Sequence, residues 1–321
     1  MHDPRSAVAS TESRIMLLDT ASLYFRAYFG MPANLTAPDG TPTNAVRGLL
    51  DFITRLVRDY QPTQLAACWD DDWRPEFRVA AIPSYKAHRV AESPSPSGVT
   101  EEVPDDLAPQ VPIIEDVLAA VGIARIGAPG FEADDVIATL AERADGPVRI
   151  VTGDRDLFQL VDDDRRIAVL YTAAKGVGRA ELVDEAWLTA RYDIPARLYG
   201  DFAALRGDPS DGLPGVKGIG ERTAAKLVRE YGDLAAIRAA AADPDSSMAA
   251  GVRTKINSST EYLDLVPDVV LAVRTVPLPT DIDMSLPRVP RDESALAALA
   301  TRWGLDTVVS RLTAVLAKVH G

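Results

Sequence analysis

Two short apolar runs, each closed by a carboxylate, constrain this chain most. Ile15 to Asp19 (IMLLD) and Leu65 to Asp70 (LAACWD) are uninterrupted apolar segments of strand length, the pattern of strands covered on both faces rather than one. Between them Val46, Leu49, Leu50, Ile53, Leu56 and Val57 recur at helical spacing, so a helix joins two parallel strands. The rhythm continues: a helix is predicted from about Leu107 to Val121, another from near Glu132 with Ala133, Val136, Ile137 and Leu140 on its apolar face, and a strand over Val148 to Thr152. Strands alternating with helices specify a doubly wound α/β domain. A length of 321 residues leaves room for a smaller module beside it.

Composition narrows the classes. With 47 % hydrophobic and 25 % charged residues, the chain is of ordinary globular make-up and disorder is not its default state. The single cysteine, Cys68, can close no internal disulfide and complete no thiolate metal cluster, which fits a reducing, cytoplasmic compartment. No apolar run approaches the roughly 18 residues of a membrane span, so no membrane partner is expected. The polar residues 1–14 read as a loose tail, not a signal peptide.

The regular alternation breaks between Asp71 and about Asp106. Pro75, Pro83, Pro94, Pro96 and Pro104 interrupt it, the basic residues Arg74, Arg78, Lys86, His88 and Arg89 punctuate it, and a Ser/Pro stretch runs from Ser93 to Ser97; the insertion is expected to be irregular or conditionally ordered. From Asp184 the pattern turns helical, with a glycine-punctuated region from Leu205 to Tyr231, an apolar run Val269 to Val273, and a closing helix from about Ser294. The division that follows is a tail over 1–14, an α/β core over 15–182 containing the insertion at about 71–106, and a helical region over 183–321.

Asp19, Asp70 and Asp154 fall at predicted strand ends, where an open parallel sheet forms its functional crevice. Glu132, Asp134 and Asp135 add three carboxylates at a helix start, which tolerates negative charge. Asp156 follows Asp154 at two residues, and Asp208 and Asp211 form a pair three apart. Taken singly, these nine are helix caps and surface charges; converging, they repel one another unless cations neutralise them. An all-oxygen donor set suits Mg2+ or Mn2+ rather than zinc. Two such ions roughly 4 Å apart would activate water and stabilise the leaving oxygen of a phosphodiester, which is nuclease or phosphatase chemistry.

A second motif suits phosphate. Leu213 to Ala224 (LPGVKGIGERTA) places Gly215, Gly218 and Gly220 in a turn that opens a helix over Glu221 to Tyr231. Glycine lets another backbone approach, and N–H groups near a helix N-terminus hold phosphate without reading bases. Lys217 adds charge. The string is neither a P-loop nor a dinucleotide fingerprint; it reads as a helix–hairpin–helix engaging a duplex backbone. In the insertion, Tyr85, Lys86, His88 and Arg89 put cations and an aromatic ring near the strand end at Asp70, suited to gripping or stacking a nucleic-acid strand; the plain alternative is a solvated loop.

The ordered series LLDTASLYFRAYFG, CWD, SYKAHR, GFEADD, VTGDRDLFQL and GDPSDGLPGVKGIGERTAAKLV resembles the bacterial 5′-nuclease and flap endonuclease family, which includes the N-terminal 5′-nuclease domain of DNA polymerase I. The likeness spans roughly Ile15 to Leu312. It implies a PIN-like parallel sheet flanked by helices, a helical arch in the insertion, and a C-terminal helix–hairpin–helix (H3TH) module. It further implies 5′-3′ exonuclease and flap endonuclease activity on DNA near single-strand/duplex junctions, in replication and repair, by a monomer. Position by position, Asp19, Asp70, Glu132, Asp134, Asp135, Asp154, Asp156, Asp208 and Asp211 would hold two or three Mg2+ or Mn2+ ions. Asp134, Asp135 and Asp154 would lie nearest the chemistry, and Lys86 and Arg89 would hold the scissile phosphate. DNA contacts would come from Arg26, Tyr85, Lys86, Arg89, Gly215, Lys217, Gly218 and Gly220, with K+ on the hairpin carbonyls.

There are departures. The stretch Asp70 to Arg78 is one residue longer than usual, leaving Asp71 an alternative ligand to Asp70, and Glu92, Glu101, Glu102, Asp105 and Asp106 make the far arch acidic. A non-catalytic branched-DNA-binding protein of the same fold and a PIN-type ribonuclease are the competing readings. The net charge of −13 opposes DNA only at first sight, because nine of the acids behind it belong to the proposed metal site. DNA is then expected to follow a narrow path through Lys86, Arg89, Lys217 and the ions, not a broadly basic face.

Overall fold

A computed structural model of the chain describes residues 14–90, 103–173 and 175–319. The strands among them are β1 (Ile15–Asp19), β2 (Gln64–Cys68), β3 (Ala124–Ile126), β4 (Val148–Thr152), β5 (Ile167–Tyr171) and β6 (Glu181–Val183). They form one sheet in the order β3-β2-β1-β4-β5-β6, parallel except for the antiparallel pair β5–β6. The register sets Asp19 of β1 opposite Cys68 of β2, and Leu18 opposite Val151 of β4. From β1 the chain grows outward to β2 and β3, then returns to β4 on the other side and grows outward again. Between β1 and β4 lies a topological switch point, where loops leaving the carboxyl ends of the strands diverge and open a crevice.

Both faces of the sheet are covered, which explains why the strands show no polar alternation. Along β1, Ile15 and Leu17 join one apolar cluster with Ala66, Cys68, Val148 and Ile150, while Met16 and Leu18 join the other with Leu65, Ala67 and Val151. The first half of the chain supplies the helices α1 (Thr20–Gly30), α2 (Asn44–Tyr60), α3 (Glu76–Ala81), α4 (Gln110–Val121) and α5 (Ala133–Arg143). The second half supplies α6 (Glu185–Tyr192), α7 (Tyr199–Arg206), α8 (Glu221–Tyr231), α9 (Leu234–Ala242), α10 (Ala250–Asn257), α11 (Thr260–Leu265), α12 (Pro267–Val270), α13 (Glu293–Trp303) and α14 (Asp306–Val319). On the Met16 face, α2 packs on α1 and α14, and α4 packs on α13. Residues of α5 and of α7 to α12 belong to the cluster on the other face.

Several expectations change. The short strands β3, β5 and β6 were not foreseen. The closing helix is two helices, parted at Gly304 with φ +63°. Residues 183–321 are not one spatial module, since α13 and α14 return to the face of α2 and α4. Arg14 is no tail residue: its N–H donates to the Thr63 hydroxyl at 2.9 Å and its carbonyl accepts the Thr63 N–H at 2.9 Å. The insertion begins with ordered α3 and a single turn over Ala87–Arg89. The rest of the expected tail, the Ser93–Ser97 stretch and the acids Glu92, Glu101 and Glu102 lie outside the described residues. No described helix is long and apolar enough to cross a membrane.

Candidate metal and nucleic-acid site

Strand ends place the first carboxylates. Asp19 closes β1 and at the same time caps α1: its Oδ1 accepts the Ser22 N–H at 3.2 Å and its Oδ2 accepts the Thr152 hydroxyl at 2.6 Å. The Thr152 hydroxyl oxygen in turn accepts the Asp154 N–H at 2.8 Å, and Ser22 Oγ accepts the Gly153 N–H at 2.9 Å. A serine and a threonine thus fix the β1 and β4 turns against each other. Asp70, two residues beyond β2, accepts the Ala133 N–H at 2.8 Å and so ties its turn to the start of α5.

These ends converge. Asp19, Asp70, Glu132, Asp134 and Asp154 line a crevice of about 240 Å³ together with Ser22, Phe25, Trp73, Lys86 and Arg89. Burial, opposed by the Thr152 hydroxyl and reinforced by Asp70 and Asp154, pushes Asp19 up to about 7. Burial followed by the charges of Asp19, Asp154 and Glu132 holds Asp134 well above the usual carboxylate range, and burial raises Asp70 as well. Beside this group Asp156 is raised by burial and by Asp154, Asp211 and Asp208. Asp211 stands at about 6, where burial and Asp154 outweigh Lys86 and Arg89.

Cations of the insertion reach into the group. Lys86 Nζ pairs with Glu132, and the Lys86 N–H donates to the Asp211 carbonyl at 2.9 Å. Arg89 Nη2 donates to Asp211 Oδ1 at 2.7 Å and to the Ser210 carbonyl at 2.9 Å. Asp208 caps the Pro209–Asp211 turn, accepting the Ser210 N–H at 2.9 Å. Salt bridges go to Glu132, Asp135, Asp208 and Asp211, and among the described residues none reaches Asp19, Asp70, Asp134 or Asp154. Nor, among those residues, do three His, Cys, Asp or Glu side chains stand close enough to hold an ion as placed. The donor chemistry still fits a hard divalent cation: crowded carboxylate oxygens, with charge disfavoured on Asp19, Asp70 and Asp134, and among the described residues no salt bridge to these three or to Asp154.

Three sequence expectations need correcting, and one alternative, Asp71 in place of Asp70, falls away. Asp135 does not line the crevice; it is fully buried, takes a two-pronged bond from Arg78 at 2.9 and 2.6 Å, and also accepts the N–H groups of Glu132 and Val273. Tyr85 offers no stacking surface, because its ring is buried and its hydroxyl donates to Glu132 at 2.8 Å. Asp71 turns away from the crevice to pair with Arg125 at 2.8 Å, leaving Asp70 in place. Gly215 is buried with φ +65°, and a Cβ there would lie 2.5 Å from the Arg206 carbonyl oxygen, so this glycine serves backbone packing.

Arg78, which the sequence displays only as one base among several, bridges α3, α5 and the C-terminal region. Besides Asp135 it pairs with Glu132 and donates to the Val269 carbonyl at 3.1 Å. Arg26 lies on α1 beside the crevice, in a groove shared with Phe25, Phe29, Met31 and Phe52, and its Nε is buried without a partner.

The hairpin is coupled to the crevice through its own backbone. Asp208 and Leu213 exchange both backbone hydrogen bonds, at 3.0 and 2.8 Å, and Val216 N–H donates to the Leu205 carbonyl at 3.0 Å. Lys217, Gly218 and Gly220 are exposed, and Gly220 begins α8 with no side-chain cap, leaving its first N–H groups for a ligand. The Gly218 carbonyl accepts Lys255 Nζ at 2.9 Å, a contact between residues 37 apart that sequence spacing does not suggest.

A parallel sheet with a carboxylate crevice at its switch point, flanked by a cationic insertion and a backbone-lined hairpin, is the architecture of a nuclease. Residues 14–193 match the 5′-3′ exonuclease N-terminal resolvase-like domain and residues 194–293 the 5′-3′ exonuclease C-terminal SAM fold. The chain belongs to the 5′-3′ exonuclease family. It is 60 % identical to a 5′-3′ exonuclease of Streptomyces coelicolor, covering 94 % of this chain and 99 % of that one. It is 49 % identical to a 5′-3′ exonuclease of Mycobacterium tuberculosis, covering 96 % and 99 %. DNA polymerase I of Mycobacterium bovis is 43 % identical over 83 % of this chain but only 29 % of its own length. Among solved structures, T5 5′-exonuclease with bound zinc aligns with a TM-score of 0.61 at 18 % identity, covering 96 % of this chain and all of that one. The catalytic core of Rad2 with DNA substrate aligns at 0.58 and 18 %, covering 94 % and 92 %. These two likenesses bear on the fold.

Proposed function

We propose that this protein is a structure-specific 5′ nuclease that hydrolyses DNA phosphodiesters near single-strand/duplex junctions as a monomer, with Mg2+ or Mn2+, in replication and repair. The observation that carries the reading is the five-carboxylate crevice with Lys86 and Arg89 on one side, coupled through Asp208–Leu213 to an exposed hairpin. Asp19, Asp70, Glu132, Asp134 and Asp154 would hold the ions, with Asp156, Asp208 and Asp211 as their flank. Divalent ions held by these carboxylates would supply an activated water and would neutralise charge on the leaving oxygen. Lys86 and Arg89, held by Glu132 and Asp211, are within reach of the crevice and would hold the scissile phosphate. The α8 N-terminus and Lys217 would bind the duplex backbone at a fixed distance from the cut, so that structure rather than sequence selects the substrate.

A labelled 5′-flap duplex incubated with Mn2+ tests this. One dominant cut near the junction, leaving 5′-phosphate products, is expected. Asp134→Asn or Asp154→Asn should slow it on the order of 10³-fold while binding in Ca2+ persists. Near-normal turnover of both variants would overturn the site. Binding without cleavage by the unaltered protein would make it a branched-DNA-binding protein, and preferential cutting of an RNA flap a ribonuclease.

A further inference from the structure

A monovalent ion on the hairpin carbonyls, which the family resemblance implies, does not fit the hairpin as folded. The Val216 carbonyl accepts the Ile219 N–H at 2.9 Å, and the Gly220 carbonyl accepts those of Thr223 and Ala224 at 3.0 and 2.9 Å. The Gly218 carbonyl already receives the Lys255 ammonium. An ammonium group is close to K+ in size and prefers the same carbonyl oxygens, so an ion placed on Gly218 would stand against a like charge. We propose that Lys255 provides from within the chain the positive charge that K+ would bring, so that the duplex grip is indifferent to the monovalent cation. This rests on the reading that the hairpin binds duplex DNA.

The arrangement is built into the fold. Gly218 has φ +80° and no side chain, and a Cβ there would lie 3.0 Å from Lys255 Nζ, 3.1 Å from Cε and 3.7 Å from Cδ. The lysine stem therefore lies across the bare glycine. Its helix, α10, is anchored by buried Ile256 and by Asn257 Nδ2, which donates to the Ala241 carbonyl of α9 at 2.9 Å. Helix α9 in turn packs on α8, so the base of the lysine stem is held near the uncapped α8 N-terminus. Among the described residues Lys255 makes no salt bridge, and one carbonyl takes only one of its three donors. Its charge is not cancelled by an acid, and its remaining N–H groups can reach a phosphate.

The experiment measures binding of a fluorescent flap duplex in Ca2+, which allows binding to be read apart from cleavage, in KCl, LiCl or tetramethylammonium chloride at equal ionic strength. For the unaltered protein the three dissociation constants should agree within about twofold. Lys255→Met keeps the stem over Gly218 and removes the charge. It should bind about tenfold more weakly in LiCl and tetramethylammonium, recover part of the loss in KCl, and lower the salt-dependence slope by about 1. A K+ requirement in the unaltered protein, or an unchanged affinity and slope in Lys255→Met, would overturn the proposal and leave the duplex-binding reading intact. No binding by the unaltered protein in any salt would sink both.

Discussion

Asp19 shows how one carboxylate can satisfy both readings of the sequence, since it caps α1 through Ser22 and also lines the crevice. Asp208 likewise caps a turn while flanking the site. What could be seen in the sequence was the position of Asp19, Asp70 and Asp154 at strand ends, because apolar runs stop where the sheet stops. What could not be seen was Arg78, whose partners lie 54, 57 and 191 residues away. In a short helix of the basic insertion it looks solvated, yet it is 2 % exposed. Removing one partner of a buried charge group leaves the others unpaired and costs about 3–5 kcal/mol. Arg78→Met should therefore lower stability by about that much, read from the urea midpoint and slope, whereas Arg89→Ala should cost under about 1 kcal/mol because its side chain is 33 % exposed. Equal losses in the two variants would contradict this account of Arg78.

At the level of elements, two hairpin glycines with similar φ play different parts. Gly215 meets backbone, with a Cβ placed 2.5 Å from the Arg206 carbonyl oxygen and 2.6 Å from Gly207 N, whereas Gly218 meets the flexible end of Lys255. Neither partner can move away from Gly215 without breaking the link between α7 and the hairpin, so Gly215→Ala should destabilise by about 2 kcal/mol or more and weaken flap binding. Gly218→Ala should lose about 1 kcal/mol, chiefly the left-handed strain. Chemical denaturation of both variants checks the order, and a larger loss at Gly218 would reverse it. Long periodic elements such as α2 were legible. The three-residue strands β3 and β6 were not, because so few residues carry no period and their pairing is decided by neighbours far along the chain. Gly304 looked compatible with a continuous closing helix, and only its left-handed conformation, followed by the return of α14 onto α2, shows the break.

For the whole molecule, the doubly wound core was legible because strands buried on both faces are apolar throughout, but the route of the last two helices was not, since nothing local says which sheet face they cover. The concentration of charge has a thermodynamic consequence. Asp19 stands at about 7 against an ordinary value of 3.8, and Asp211 at about 6. Between those values the folded protein without divalent ions holds protons that the unfolded chain has released. Stability from these groups is therefore complete below about pH 4 and falls as pH rises toward 7. The carboxylates held below their ordinary value, Asp39, Glu142 and Asp283, act in the opposite sense but only at more acid pH. In EDTA the melting temperature should therefore decline from pH 5 to 7.5, and Asp19→Asn should flatten part of the decline. Divalent ions displace the protons and favour the folded state, so saturating Mn2+ should restore the melting temperature most at pH 7.5 and least at pH 5. A melting temperature in EDTA that climbs steadily to pH 7.5, with no larger Mn2+ effect there, would show that the crowded carboxylates do not govern the stability of the fold.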